Sequence, residues 1–331
     1  MRVVVTGAAG FIGGQVARAL ADAGHDVLAV DHLAHSTAPR AAQTTWTALD
    51  RHPGITLIEA DLTVDDLTKP AEADAVVHLA GRPGVRTSFG AGAAATERDN
   101  VEATRRLLAA CTGRPRFVLA SSSSVYGSAP RPSRETDEPR PASPYARSKV
   151  RAERLALSSG LPVTVLRYFS VYGPGQRPDM AFHRFIEAAR AGSPLPVLGA
   201  GLQSRAFTYV GDVVAATVRA ATTDLPPGTI LNIGHDRPEP LAHAIALLGE
   251  LIGVRQRVDH RPPAPGDTPR TWADPTRAED LLGWRATTPL AAGLAAQLAW
   301  HRSGRPAAPL MSASEAESGG VAVSGGSRHG R

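Results

Sequence analysis

The sequence predicts an α/β protein, built on a doubly wound parallel sheet and followed by a smaller α+β lobe. Three observations predict it. Short apolar runs alternate with helical patterns over the first 170 or so residues, as βαβ units require. A glycine triplet follows the first apolar run and opens a helical pattern. Beyond about Gly173 the order becomes irregular and richer in proline and glycine.

Taken in order, the apolar runs place strands at 2–6, 26–30, 56–60, 75–79, 116–120 and 163–168. Helical periodicity falls at about 11–23, 92–111 and 144–159. Later helical stretches lie at about 180–191, 212–222, 240–252, 276–282 and 289–301, with short strands near 196–198, 206–209 and 230–233. Residues 1–172 therefore read as the sheet domain, with a return near 206–235. Residues 173–302 read mainly as the smaller, substrate-binding lobe. From 303 to 331 the chain is Gly, Ser, Ala, Pro and scattered charge without periodicity, which predicts a disordered tail.

Composition narrows the function classes. An apolar content of 43% is ordinary for a globular chain. The 36 basic and 31 acidic residues leave a formal charge of +5. The arginines are scattered rather than gathered in a stripe, so a nucleic-acid partner is not expected and a small anionic substrate is. No apolar run is long enough to span a bilayer, and Val3-Val4-Val5-Thr6-Gly7 begins the fold with no signal-peptide pattern. The expectation is a cytoplasmic protein without a membrane partner. Cys111 is the single cysteine, which excludes an internal disulfide and a multi-cysteine metal site. No metal is expected. Only Lys69 and Lys149 are lysines in a chain that otherwise uses arginine, so a lysine at a chemically meaningful spacing carries information.

The glycine segment reads Thr6-Gly7-Ala8-Ala9-Gly10-Phe11-Ile12-Gly13. Gly7, Gly10 and Gly13 permit a tight turn, close approach of backbone to a pyrophosphate, and close packing of helix on strand. The helix that begins at Phe11 and Ile12 offers free N–H groups and a positive dipole end to the phosphates. This makes the sheet Rossmann-like and the ligand a dinucleotide. Asp31 ends the second strand, where a carboxylate accepts both ribose hydroxyls and repels a 2′-phosphate, favouring NAD over NADP. Asp61 and Leu62, after the third strand, are placed to reach the adenine.

Tyr145 and Lys149 lie four residues apart at the start of a helix, hence on one face. A free tyrosine titrates at about 10, and making it a base near neutrality needs roughly 4 kcal/mol of phenolate stabilisation. A fixed ammonium and a positive nicotinamide ring are expected to supply it. The serine run Ser121-Ser122-Ser123-Ser124 ends a parallel strand, where ligands of open α/β sheets bind. A hydroxyl there can share a proton with the tyrosine and a sugar oxygen.

These motifs together resemble the extended short-chain dehydrogenases/reductases, and within them the nucleotide-sugar 4-epimerases, over about residues 1–300. The resemblance also rests on His78-Leu79-Ala80-Gly81, Asp99-Asn100-Val101, Val125-Tyr126-Gly127 and Leu166-Arg167-Tyr168-Phe169-Ser170-Val171-Tyr172-Gly173-Pro174. Arg205-Ala206-Phe207-Thr208-Tyr209-Val210, Leu231-Asn232-Ile233-Gly234 and Pro265-Gly266-Asp267 extend it. It implies Ser122, Tyr145 and Lys149 as the catalytic set. It implies that Leu79, Ala80, Gly81, Asn100, Lys149 and Tyr168 contact NAD, and that Val197, Arg205, Asp267 and Arg270 contact the nucleotide sugar. It also implies a homodimer through the helices at 92–111 and 144–159.

The reactions of this family share oxidation at carbon 4 to a 4-keto sugar and differ in the fate of that ketone. Dehydratases usually carry Asp and Glu after the catalytic hydroxyl, and decarboxylases tend to place a Glu in that turn. Ser123 and Ser124 stand there in this chain. Serine is a poor acid or base near neutrality, so elimination and decarboxylation rank below epimerisation. Gly84-Val85-Arg86-Thr87-Ser88 and Arg177-Pro178-Asp179-Met180 are similar to segments of UDP-glucuronate 4-epimerases, in particular the type found in the moenomycin antibiotic pathway. A uronate carboxylate needs several donors; Ser122, Ser123, Ser124 and Ser170 supply hydroxyls, and Arg177 or Arg86 the charge. Three positions depart from relatives: Ala206 where an Asp often follows the arginine, Ala264 where many carry an arginine, and Ser170 where uronate epimerases tend to have Thr. Arg261 or Arg270 is the candidate replacement at the diphosphate. The expected activity is UDP-glucuronate 4-epimerase, making UDP-galacturonate. The alternatives are a UDP-glucose or other NDP-hexose 4-epimerase and a catalytically silent NAD-binding protein.

Overall fold

The computed structural model describes residues 1–68, 72–263 and 266–303. Lys69, Ala264, Pro265 and the expected tail from 304 onward lie outside the described residues.

The sheet strands are β1 (Arg2–Thr6), β2 (Asp26–Asp31), β3 (Ile55–Glu59), β4 (Ala75–His78), β5 (Arg116–Ser122) and β6 (Val163–Tyr168). Four short strands come next: β7 (Val171–Tyr172), β8 (Leu195–Leu198), β9 (Ser204–Arg205) and β10 (Thr208–Tyr209). Strand β11 (Thr229–Ile233) then returns to the first sheet and pairs with β6. The seven-stranded order is β11-β6-β5-β4-β1-β2-β3, parallel throughout.

Both faces of this sheet are covered, which is why its strands read as continuous apolar runs rather than alternation. On β1, Val3 and Val5 enter one core cluster and Val4 the other. Cys111 is buried in the second cluster, with burial pushing its thiol up to about 11. That leaves it a small packing residue.

The register aligns the carboxyl ends of the strands. Thr6 lies level with Val30 and His78, and Ser122 with Tyr168. The connections reverse direction between β1 and β4, and ligands of such sheets bind beyond the strand ends at this point.

The helices are α1 (Gly13–Asp22), α2 (Pro39–Leu49), α3 (Gly92–Glu97), α4 (Ala103–Ala110), α5 (Pro144–Leu157), α6 (Ala181–Arg190), α7 (Val210–Thr222), α8 (Leu241–Ile252), α9 (Thr276–Leu282) and α10 (Leu290–Ser303). The helix expected over 92–111 is interrupted by a π turn, Arg98–Glu102, which carries Asn100. Periodicity alone does not register one extra residue per turn. Helix α2 is an addition to the expected elements. The strand expected near 206–209 is reduced to the two-residue β10, with the separate two-residue β9 just before it. A β12 (Glu239–Pro240), a β13 (Val258–Arg261) and a β14 (Arg270–Thr271) also form. Two-residue strands are too short to show a period of two. β13 is exposed along its length, so it carries no apolar pattern.

Candidate active site

One cleft of about 1280 Å³ runs across the strand ends and between the sheet and the smaller lobe. Its floor is the turn from β1 to α1. Gly7 sits at φ +73°, and a Cβ there would lie 2.7 Å from the backbone nitrogen of Ala80. A Cβ at Gly13 would lie 2.0 Å from the Gly7 carbonyl oxygen. The Gly10 N–H donates to that same carbonyl at 3.0 Å. The glycines thus make a bare backbone cradle at the start of a helix, and Phe11 and Ile12 line it.

Asp31 stands at the mouth of the cradle. Its carboxylate accepts from the Ala9 N–H and from the His32 N–H, both at 2.8 Å. Burial pushes its pKa up, against those two bonds. Asp61 accepts on Oδ1 from the N–H and the hydroxyl of Thr63 at 2.8 and 2.7 Å. Burial raises its pKa, but the Thr63 bonds and the nearby histidines outweigh it and hold the group below the usual carboxylate value. Leu62, Leu79, Ala80, Gly81 and Tyr168 line the cleft.

Asn100, expected at NAD, takes a supporting place in the wall. It is buried and does not line the cleft. Its side chain accepts from the Arg82 N–H at 2.6 Å and donates to the Arg82 carbonyl at 3.1 Å and to Ser148 Oγ at 2.9 Å. Its amide is already committed to these bonds, and it shapes the turn at Gly81 and Arg82. His78 has a role that sequence reasoning missed. It is buried, bridges Thr6 Oγ1 at 2.7 Å and Thr104 Oγ1 at 2.9 Å, and is held neutral, its pKa lowered to about 3 mainly by burial.

Ser122, Tyr145 and Lys149 converge in the cleft, with the Ser122 side chain hydrogen-bonded to the Tyr145 phenol. Ser143 caps α5 by accepting from the Ala146 N–H at 3.1 Å, and Pro144 fits the first helical position. Tyr145 follows at once, and its N–H donates to Ser88 Oγ at 3.1 Å. Ser122 ends β5 in extended conformation, and its hydroxyl also accepts from the Ser124 N–H at 3.2 Å. Lys149 Nζ donates to the Ala120 carbonyl at 3.0 Å. Burial lowers the lysine to about 8, against the attraction of Glu153.

The Tyr145 phenol departs from the sequence expectation. Burial raises its pKa, and the Ser122 hydrogen bond and the Arg177 charge only oppose this. Protein groups alone do not pull it towards neutrality, and a positive ring beside the phenol would act in the required direction.

Ser123, Ser124 and Ser170 line the cleft with Arg177, Arg205, Arg86 and Asp267. The Ser124 hydroxyl oxygen is buried without a hydrogen-bond partner. Ser170 sits at φ +35°, a conformation that costs about 1–3 kcal/mol for a residue with a side chain. Its carbonyl accepts from the Thr208 N–H at 3.2 Å. Arg177 is clamped by Asp179 through two bonds of 2.9 Å. Arg86 lies 3.7 Å from Asp267. Arg205 donates to the Ser204 carbonyl at 2.8 Å, and burial lowers its pKa.

Two residues expected at the nucleotide sugar lie off the cleft lining. Val197 is 1% exposed and packs in the main core rather than on the cleft. Arg270 lies outside the cleft lining, its guanidinium carbon 5.6 Å from the Trp272 ring centre. Arg261, the other candidate replacement, pairs with Asp259 at 3.0 Å and is also outside the lining.

A glycine cradle at the switch point of a parallel sheet, with a Ser–Tyr–Lys set beside it, defines a dinucleotide-dependent enzyme of the short-chain dehydrogenase/reductase type. The chain belongs to the NAD dependent epimerase/dehydratase family, whose sequence model matches residues 3–234. It is 35% identical over 311 residues to YtcB of Bacillus subtilis, described as an uncharacterized UDP-glucose epimerase; the match covers 92% of this chain and 98% of that one. Among solved structures it is similar to the UDP-glucuronic acid 4-epimerase of Bacillus cereus in complex with UDP-glucuronic acid and NAD. That likeness has a TM-score of 0.88 and 35% identity, covering 92% of this chain and 99% of the other. MoeE5 in complex with UDP-glucuronic acid and NAD gives a TM-score of 0.84 at 39% identity, covering 92% and 100%.

Proposed function

We propose that this chain is an NAD-dependent UDP-glucuronate 4-epimerase that forms UDP-galacturonate through a 4-keto intermediate. The observation that carries it is the single cleft lined by Ser122, Tyr145 and Lys149 together with a turn of serines and Arg177, with no carboxylate in that turn. Likeness to two enzymes solved with UDP-glucuronic acid and NAD supports the same reading.

The residues present fit NAD. Gly7 and Gly13 leave a cradle that a Cβ would fill, and Asp31 stands where free ribose hydroxyls need an acceptor. When bound there, NAD⁺ supplies the electron-pair acceptor and donor at carbon 4 of the sugar. Tyr145 removes the proton of the carbon-4 hydroxyl, and Ser122 relays it. Lys149 holds the cofactor ribose and stabilises the phenolate. Arg205 and Asp267 face the nucleotide diphosphate end, with Arg86. Arg177, Ser123, Ser124 and Ser170 hold the uronate carboxylate. A 4-keto uronate is a β-keto acid and loses carbon dioxide when the bond to its carboxylate aligns with the carbonyl π system. Fixing the carboxylate out of that alignment protects the intermediate while the ring turns.

In this reading residues 1–172, with the return near 206–235, hold the cofactor, and 173–302 mainly hold the sugar nucleotide. The enzyme works in the cytoplasm as a homodimer, through α3, α4 and α5. The resemblance to the moenomycin-pathway type supports a role in antibiotic biosynthesis. The test is separate incubation of purified protein with UDP-glucuronate and UDP-glucose, with products identified by NMR. UDP-galacturonate from the first is the expected result. Conversion of UDP-glucose alone would replace the uronate reading with a neutral-hexose one.

A further inference from the structure

Three side chains meet just beyond the ends of β2 and β3, in the same cleft. His32 follows β2, His35 ends the short turn Leu33–His35, and Asp61 follows β3. One ligand atom from each lies within 4.8 Å of the others. Asp61 Oδ2 is 3.4 Å from His35 Nδ1. Two ligands bound at about 2.0–2.1 Å on one tetrahedral zinc ion stand about 3.4 Å apart, so this pair already has the separation of a metal's ligands. The two imidazole rings are 4.3 Å apart, edge to face. His32 Nδ1 is buried and has no hydrogen-bond partner. Thr63 occupies Asp61 Oδ1 with two bonds and leaves Oδ2 free to face the histidines. An outer group that orients a ligating carboxylate in this way is a regular feature of metal sites.

We propose that His32, His35 and Asp61 form a site for a borderline divalent cation, zinc foremost, and that this ion and the cofactor exclude one another. Two imidazoles and a carboxylate suit zinc, copper or nickel better than magnesium or calcium. Three protein ligands leave a fourth position for water. Asp31, one residue before His32, adds negative charge beside the site. The exclusion rests on the reading that Asp31 and Asp61 flank the adenosine, since an ion that takes Asp61 as a ligand occupies one of the two groups the adenosine would meet in the same cleft. Exclusion is reciprocal: zinc weakens NAD binding by the factor by which NAD weakens zinc binding. Catalysis uses no metal in this scheme, so the ion is an inhibitor.

The test is calorimetric titration of the full chain with zinc chloride, before and after saturation with NAD. One zinc per chain is expected, with magnesium giving no heat. His32→Asn and His35→Asn, made separately, should each weaken zinc binding at least about tenfold. Saturating NAD should weaken it as well. Unchanged zinc affinity in both variants would place the ion elsewhere and overturn the site. Zinc affinity unaffected by NAD would overturn the exclusion. Zinc uptake is read without sugar turnover, so failure of the epimerase reading would appear in the sugar assay and leave this measurement standing.

Discussion

Lys149 Nζ donates to the Ala120 carbonyl at 3.0 Å, tying helix α5 to the strand end that carries Ser122. One bond thereby anchors the ammonium two residues before Ser122 on the strand. The charged form of this lysine is needed, and burial holds its pKa down to about 8 while Glu153, one turn along α5, pulls it up. His78, also near it, stays neutral. Lys149 is therefore charged below about 8 and loses its proton above. kcat/KM is expected to fall as pH rises through about 8. Activity that stays level from neutral to strongly alkaline pH would contradict this role.

Tyr145→Phe removes the phenolic oxygen and keeps the ring. Turnover should drop by roughly 10²–10⁴-fold, the usual range for a lost general base, while NAD binding persists. Rapid-quench product analysis beside calorimetry with NAD separates the two effects. A variant retaining more than about a tenth of native activity is incompatible with the assignment.

Arg177 is held by Asp179 through two bonds, so its guanidinium is already oriented when a carboxylate arrives. Arg177→Ala should weaken UDP-glucuronate far more than UDP-glucose, since charge-assisted bonds contribute about 1.5–3 kcal/mol each. Ser123→Ala or Ser170→Ala should raise the share of decarboxylated UDP-pentose among the products. NMR product partitioning checks both. Equal loss of affinity for the two sugars, with unchanged partitioning, would mean these residues do not read the carboxylate.

Asp31 is fixed by two backbone N–H groups, from Ala9 and His32. A carboxylate held there repels a 2′-phosphate. Calorimetry should show NAD binding far more tightly than NADP, and Asp31→Ala should narrow the gap. Comparable affinities in the native protein would defeat the prediction.

His78 has its pKa lowered from 6.5 to about 3, chiefly by burial. A group depressed in the folded state contributes stability that is complete above its ordinary value and is lost as pH falls towards the folded one. His78 should therefore make the protein lose stability between about pH 6.5 and 3. In urea unfolding, His78→Gln should start less stable at neutral pH and decline less on acidification. Parallel curves for the two proteins would assign the acid sensitivity to other groups.

Local spacing was legible in the sequence, and long-range convergence was not. The glycine turn, the strand that feeds it and the Tyr145…Lys149 face are properties of a few consecutive residues, governed by backbone sterics and the helical period. So the sheet, the cradle and the Tyr145…Lys149 face could be read directly. Ser88 beneath the Tyr145 N–H, the Arg177–Asp179 clamp across one turn, and Ala120 under Lys149 depend on where separate elements stop and how side chains turn.

The amino-acid sequence by itself determined the fold class, the dinucleotide turn and the shared helical face of Tyr145 and Lys149, because each is encoded by apolar period, glycine position or helical spacing, while the choice of Ser122 within the serine run came from family resemblance. Only the tertiary structure decided that Asn100 braces a turn, that Val197 belongs to the core, that Arg270 lies off the cleft, and that His32, His35 and Asp61 meet. The physical reason is packing. Parallel strands bring together residues dozens of positions apart, and burial then sets which side chains reach the cleft and which are consumed in holding its walls.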